Sequence, residues 1–178
     1  MKNFSFLNSL ISRSLAGLIV AVATGQTLAD NAAVDSADKS FLQNAYEDGL
    51  AEIKMGELGQ TKSANADVKA FAAEMVKDHG AANGDLKTLS DNKKVSLATD
   101  PSLVAQGKAK LLDARSGASF DKAFADDMVN DHKKAVAAFE KAANEAKDPD
   151  VKAFAAKILP TLRHHLSMAE ELQAKVGK

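Results

Sequence analysis

The chain has 178 residues, 26% of them charged, with a formal net charge of −1, 5% aromatic residues and no cysteine. The missing cysteines exclude disulfides, thiolate metal sites and thiol nucleophiles, and the near-balanced charge offers no basic patch of the kind a nucleic-acid partner requires. The length suits one ordinary domain with a single core.

In residues 1–29 only Lys2 and Arg13 are charged, an apolar stretch runs from Leu15 to Ala23, and Thr27-Leu28-Ala29 places small residues at both key cleavage positions. A positive start, a short apolar middle and a small-residue exit are the plan of a secretory signal peptide cut near Ala29. The competing reading, an uncleaved anchor, meets the difficulty that the apolar run is shorter than the ~20 residues needed to cross a bilayer. Removing the segment leaves 21 basic and 24 acidic residues, a mature charge of −3. Export to the periplasm or outer envelope is therefore expected. Residues 30–39 are then a flexible mature N-terminus and 40–176 the folded domain, with no transmembrane helix in the mature chain.

Beyond Ser40 the apolar spacing is helical throughout, and alternating β-branched runs are absent. The first helix is predicted from Ser40 to Thr61, with Phe41, Leu42, Ala45, Gly49, Ile53 and Gly56 on one face. Its glycines cost about 1 kcal/mol each relative to alanine, which close approach of a neighbouring helix would offset. The second starts after Asn65, a good N-cap, and turns Val68, Phe71, Ala72, Met75, Leu86 and Leu89 inward. A long connection from Asp91 to Arg115 follows, in which Asp100-Pro101 opens a short helix through Leu112. Ser116-Gly117 punctuates the next start, whose stripe is Phe120, Phe124, Met128, Ala135, Phe139 and Ala142. Asp148 caps the last helix with Pro149 at its first position, and Val151, Phe154, Ile158, Leu162, Ala169 and Leu172 form its stripe. Pro160 lies inside that helix and is expected to kink it.

The segment Asp67-Val68-Lys69-Ala70-Phe71-Ala72-Ala73 recurs as Asp150-Val151-Lys152-Ala153-Phe154-Ala155-Ala156. Asn65 and Asp148 occupy the same place before the two copies, so a duplicated helical hairpin is implied. Two short hairpins and one long crossover describe an all-α, ferritin-like four-helix bundle better than a plain up-down-up-down one.

Five polar residues fall on or beside these apolar stripes. At 100° per residue, Glu52 lies among Phe41, Ala45 and Gly56, and His79 between Met75 and Leu86. Asp131 and His132 straddle the stripe of Met128 and Ala135, and His165 lies between Leu162 and Ala169, whereas His164 turns to the flank. His132 and His165 are both about fifteen residues from the second turn and should face one another; Glu52 and His79 differ in level by roughly 7 Å. Converging imidazoles and carboxylates suit zinc, copper or iron, which makes Glu52, His79, Asp131, His132 and His165 candidate ligands. The plainer alternative is a satisfied polar network that fixes helix register. Val76 and Leu162 stand where di-iron bundles carry a glutamate three residues before the histidine, which argues against oxygen-activating di-iron chemistry. No phosphate-binding glycine loop or nucleophile motif occurs, and the sole tyrosine, Tyr46, reads as edge packing.

Several of these segments carry a resemblance. Gly49-Leu50-Ala51-Glu52, the run from Val68 through Asp78-His79, Gly117-Ala118-Ser119-Phe120-Asp121, Asp131-His132 and Leu159-Pro160-Thr161-Leu162-Arg163-His164-His165 are, in that order, similar to the bacterial family called domain of unknown function 4142. The similarity spans Phe41 to Leu172. It implies a ferritin-like fold and an exported protein with no assigned activity, and marks His79, His132 and His165 without giving them a reaction. The expectation is a non-catalytic, stress-associated envelope protein with a candidate His/carboxylate metal site in the bundle core. A metal-dependent redox enzyme and a structural interaction module are the alternatives; the protein partner is unknown and self-association is left open.

Overall fold

A computed structural model describes residues 34–177. The expected signal peptide, 1–29, lies outside the described residues. Helices α1 (Ser36–Lys62), α2 (Ala66–Asn92), α3 (Leu103–Asp113), α4 (Gly117–Glu145) and α5 (Pro149–Val176) follow in chain order. The pairs α1/α2 and α4/α5 are hairpins closed by three-residue turns, and the crossover between them carries the short α3. The fold is the ferritin-like four-helix bundle of two hairpins, and no strand occurs among the described residues.

Each helix start has a local cause. Asn65 accepts from Asp67 N at 2.9 Å, and Asp148 accepts from Asp150 N at 2.9 Å and Val151 N at 3.3 Å, satisfying amides that have no partner within the helix. Helix α1 begins four residues before the expected Ser40 because Asp35 caps it, accepting from Ala37 N at 3.0 Å. Ser102, rather than Asp100-Pro101, caps α3 through Ala105 N at 3.1 Å. Gly117 opens α4 with φ +55°, a conformation that suits a residue lacking Cβ. Helix α5 runs from Pro149 to Val176 with Pro160 inside it.

Two buried aspartates lock the hairpins together reciprocally. Asp38 on α1 accepts from Lys147 N at 3.0 Å and Asp148 N at 2.7 Å, holding the turn of the second hairpin. Asp121 on α4 accepts from Ser63 Oγ at 2.6 Å, holding the turn of the first. Lys93 adds ion pairs to Asp148 at 2.6 Å and Asp150 at 2.7 Å.

The apolar core falls into two clusters. One gathers Met55, Val68, Phe71, Met75, Leu112, Phe120, Phe124 and Met128 with Leu172; the other gathers Leu42, Leu86, Phe139, Val151, Phe154 and Leu162. On α2 and α4 a buried histidine lies between the residues given to the first cluster and those given to the second, and on α5 His165 separates Leu162 from Ala169. A polar layer therefore crosses the middle of the bundle.

Candidate metal centre

Three of the four long helices bring an imidazole into that layer. His79, His132 and His165 are 8%, 1% and 1% exposed. Their ring centroids are 5.7 Å (79–132), 5.4 Å (79–165) and 5.5 Å (132–165) apart. One nitrogen from each ring lies within 4.8 Å of the other two.

Hydrogen bonds fix the tautomers of two of these rings. His132 Nδ1 lies 2.9 Å from the Met128 carbonyl oxygen, which can only accept, so Nδ1 carries the proton and Nε2 keeps a lone pair. His165 Nε2 lies 3.2 Å from Asp78 Oδ2 and donates to that carboxylate, leaving Nδ1 with the lone pair. His79 Nε2, His132 Nε2 and His165 Nδ1 are buried without a hydrogen-bond partner. An unpaired buried polar atom costs about 1–3 kcal/mol, so three imidazoles with unpartnered nitrogens in one place call for an explanation. The satisfied register network weighed from the sequence does not describe them.

Burial also keeps the rings neutral. It pushes His79 down to about 3, helped by the neighbouring His132 and His165. It pushes His132 down to about 4 against the Met128 hydrogen bond, and lowers His165 against the pull of Asp78. At neutral pH all three offer lone pairs without proton competition, the state a metal requires. Metal–imidazole bonds are about 2.0–2.1 Å, which sets three nitrogens around a tetrahedral ion about 3.4 Å apart. The three nitrogens, all within 4.8 Å of one another, lie in range of that spacing.

The two predicted carboxylates belong to neither group of potential ligands that the described residues form. Glu52 is buried with Oε2 unpartnered, and lines a groove shared with His79 and His132. Burial, reinforced by Asp131, pushes its carboxyl up to about 8, so it is protonated at neutral pH. Asp131, one residue from His132 and thus turned about 100° around α4, pairs instead with Lys108 of α3 and with Lys134 at 3.6 Å. Lys108 also pairs with Asp127 at 3.1 Å. His164 is exposed, 3.7 Å from Glu74, as its flank position predicts. Glu74, Asp78 and His165 form a second, half-buried group on the α2–α5 side.

Sequence reasoning missed Asp78 as the partner of His165, and Lys108 and Asp127 altogether. The signal for Asp78 was its place one residue before His79, which turns it from the centre toward α5.

The family described as Domain of unknown function (DUF4142) matches residues 23–172. The chain belongs to that family. No curated protein matches. Among solved structures this family member is similar to the DUF305 fragment from Deinococcus radiodurans, with a TM-score of 0.71 at 14% identity over 80% of this chain and 98% of that one. A DUF305 protein from Streptomyces coelicolor gives a TM-score of 0.68 at 15% identity over 80% and 94%. CopM in its Cu(II)-bound form gives 0.65 at 17% identity over 78% and 96%. At these identities the likeness establishes the bundle fold. No helix among the described residues is long and apolar enough to cross a membrane.

Proposed function

We propose that this DUF4142 protein is an exported metal-binding bundle that holds one transition-metal ion on His79, His132 and His165. The observation that carries the reading is the meeting of three buried imidazoles, each with an unpartnered nitrogen. Three imidazoles form an established ligand set for zinc and also suit copper, and three protein ligands leave a fourth position for water or another donor. Copper is the first ion to test, because nitrogen sites bind Cu(II) most tightly among first-row divalent ions and because CopM, which shares the bundle fold, is known in Cu(I)- and Cu(II)-bound forms. The Asp78–His165 contact supports the reading: a metal-bound histidine ordinarily donates its other N–H to a carboxylate or carbonyl, and His132 does the same to Met128. Export rests on the three-part pattern of residues 1–29.

The test is titration of the chain from Asp30 with Cu(II), with Cu(I) under reductant, and with Zn(II). One equivalent should bind. His79→Ala, His132→Ala and His165→Ala should each lose more affinity than the roughly 10–100-fold that removal of a supporting partner costs. Absence of uptake at micromolar metal, or three variants that bind as the parent does, would overturn the assignment. N-terminal sequencing of the protein recovered from a periplasmic extract should begin at Asp30; recovery only with Met1 intact would overturn export with cleavage.

A further inference from the structure

The groove between α1 and α4 has a volume of about 1240 Å³ and is lined by His79 and His132 but not by His165. Asp48, Glu52, Asp127, Asp131 and Lys108 line the same groove. Two of the three metal-seeking rings therefore border an opening whose lining carries seven Asp or Glu side chains against four lysines, an acidic excess. Glu52 gives an independent sign that these walls are built for a ligand, since it is 8% exposed and its Oε2 has no partner. A carboxyl group left unpaired in that position is costly to the fold unless something meets it. Lys108 already meets two of the others: its ammonium bridges Asp127 and Asp131 from the crossover helix.

We propose that the α1–α4 groove is the entrance through which a metal cation reaches the histidine centre, with Lys108 as a built-in counter-ion that the entering cation displaces from Asp127 and Asp131. The inference rests on the metal-binding reading above and adds to it the route and its control. A lysine ammonium on a long flexible stem is a suitable placeholder, because it neutralises the acidic wall and can swing away without moving the backbone. A divalent ion carries twice its charge to the same oxygens. An acidic excess on the walls of a concave opening focuses the field and raises cation encounter rates, by up to about 10–10³-fold where one sign prevails. The opposite side of the bundle is less open to this role, because there the Asp78 carboxylate already takes the outward N–H of His165.

The experiment is stopped-flow uptake of Zn(II), read by competition with a chromogenic chelator, using the chain from Asp30 and variants shown to keep the parent circular dichroism. Lys108→Met should accelerate uptake by roughly three- to tenfold at low salt and Asp127→Asn should slow it by a similar factor, with the one-equivalent endpoint retained. Lys108→Arg, which keeps the cation, should stay near the parent rate. Glu140→Gln removes an acidic charge on the outer face, where Glu140 pairs with Arg163 at 2.8 Å, and should leave the rate unchanged. The differences should shrink toward zero near molar salt, where the screening length falls to about 3 Å. Stoichiometric uptake at one common rate in the parent, Lys108→Met and Asp127→Asn would overturn the entrance while leaving the histidine site standing. No uptake by the parent would overturn both.

Discussion

Asp78 is the residue on which the quality of the histidine site depends without being part of it. Its carboxylate accepts the hydrogen bond that His165 Nε2–H donates, which commits Nδ1 to the interior. Asp78→Ala should therefore retain one-to-one metal stoichiometry but lower affinity roughly 10–100-fold, measured by chelator competition. Asp78→Asn should fall between the two, since its amide oxygen still accepts from the ring while the charge is gone. Equal affinity in all three would show that the ring needs no such support. The inward placement of the histidines was legible from 100° spacing alone, because each sits on a stripe of apolar neighbours, and the same spacing sent His164 outward. The fates of the carboxylates were not. Asp131 goes to Lys108, and Lys108 comes from a crossover helix whose position no periodicity encodes. Asp78 meets His165 only because of the rotation of α5 against α2, a property of packing rather than of either helix by itself.

The first hairpin closes tightly because α1 presents small residues to α2. A Cβ on Gly56 would stand 2.7 Å from Val76 Cγ2 and 2.9 Å from the Ala72 carbonyl oxygen, and the latter is backbone and cannot move aside cheaply. Gly84, by contrast, is exposed and has nothing within 4 Å of the same position. Both are mid-helix, so alanine gains about 1 kcal/mol of intrinsic helix stability at either site. Gly84→Ala should keep that gain and raise the melting temperature by a few degrees. Gly56→Ala should lower it, because overpacking costs about 1–3 kcal/mol and parts the helices. Thermal unfolding of the two variants side by side checks the argument; stabilisation by both would mean that the close approach carries no constraint. The elements were readable where chemistry is local: the caps Asn65 and Asp148, Pro149 at the first helical position, and the repeated heptapeptide each sit within a few residues of what they determine. The reciprocal locks of Asp38 and Asp121 were not, because each joins positions far apart in sequence.

At the scale of the whole molecule, the bundle interrupts its two apolar clusters with a layer of groups that would ionise in water, and its stability must therefore respond to pH. The histidines are held below their ordinary range, so between that range and their folded values the unfolded chain binds protons that the folded one refuses. For His132 and His79 the contribution is complete above about pH 6.5 and is lost as pH falls through about 4 and about 3, and His165 adds to it in the same direction. Glu52 works the other way. Its folded value of about 8 lies above 4.5, so the folded state holds a proton that the unfolded chain releases, and stability declines as pH rises through that window. Three histidines outweigh one glutamate on the acid side, while above neutrality only Glu52 still counts. The metal-free protein should be most stable at roughly pH 7, with a steep acid limb and a shallower alkaline one. Glu52→Gln replaces the protonated carboxyl by a neutral group of the same shape. Its stability advantage over the parent should grow between about pH 4.5 and 8, reach the order of a few kcal/mol, and then level off. Urea unfolding of both proteins across that range, with chelator present to keep them metal-free, measures the difference directly. A gap that does not change with pH would mean that Glu52 is ionised in the fold, and that the polar layer is wetter than its burial implies.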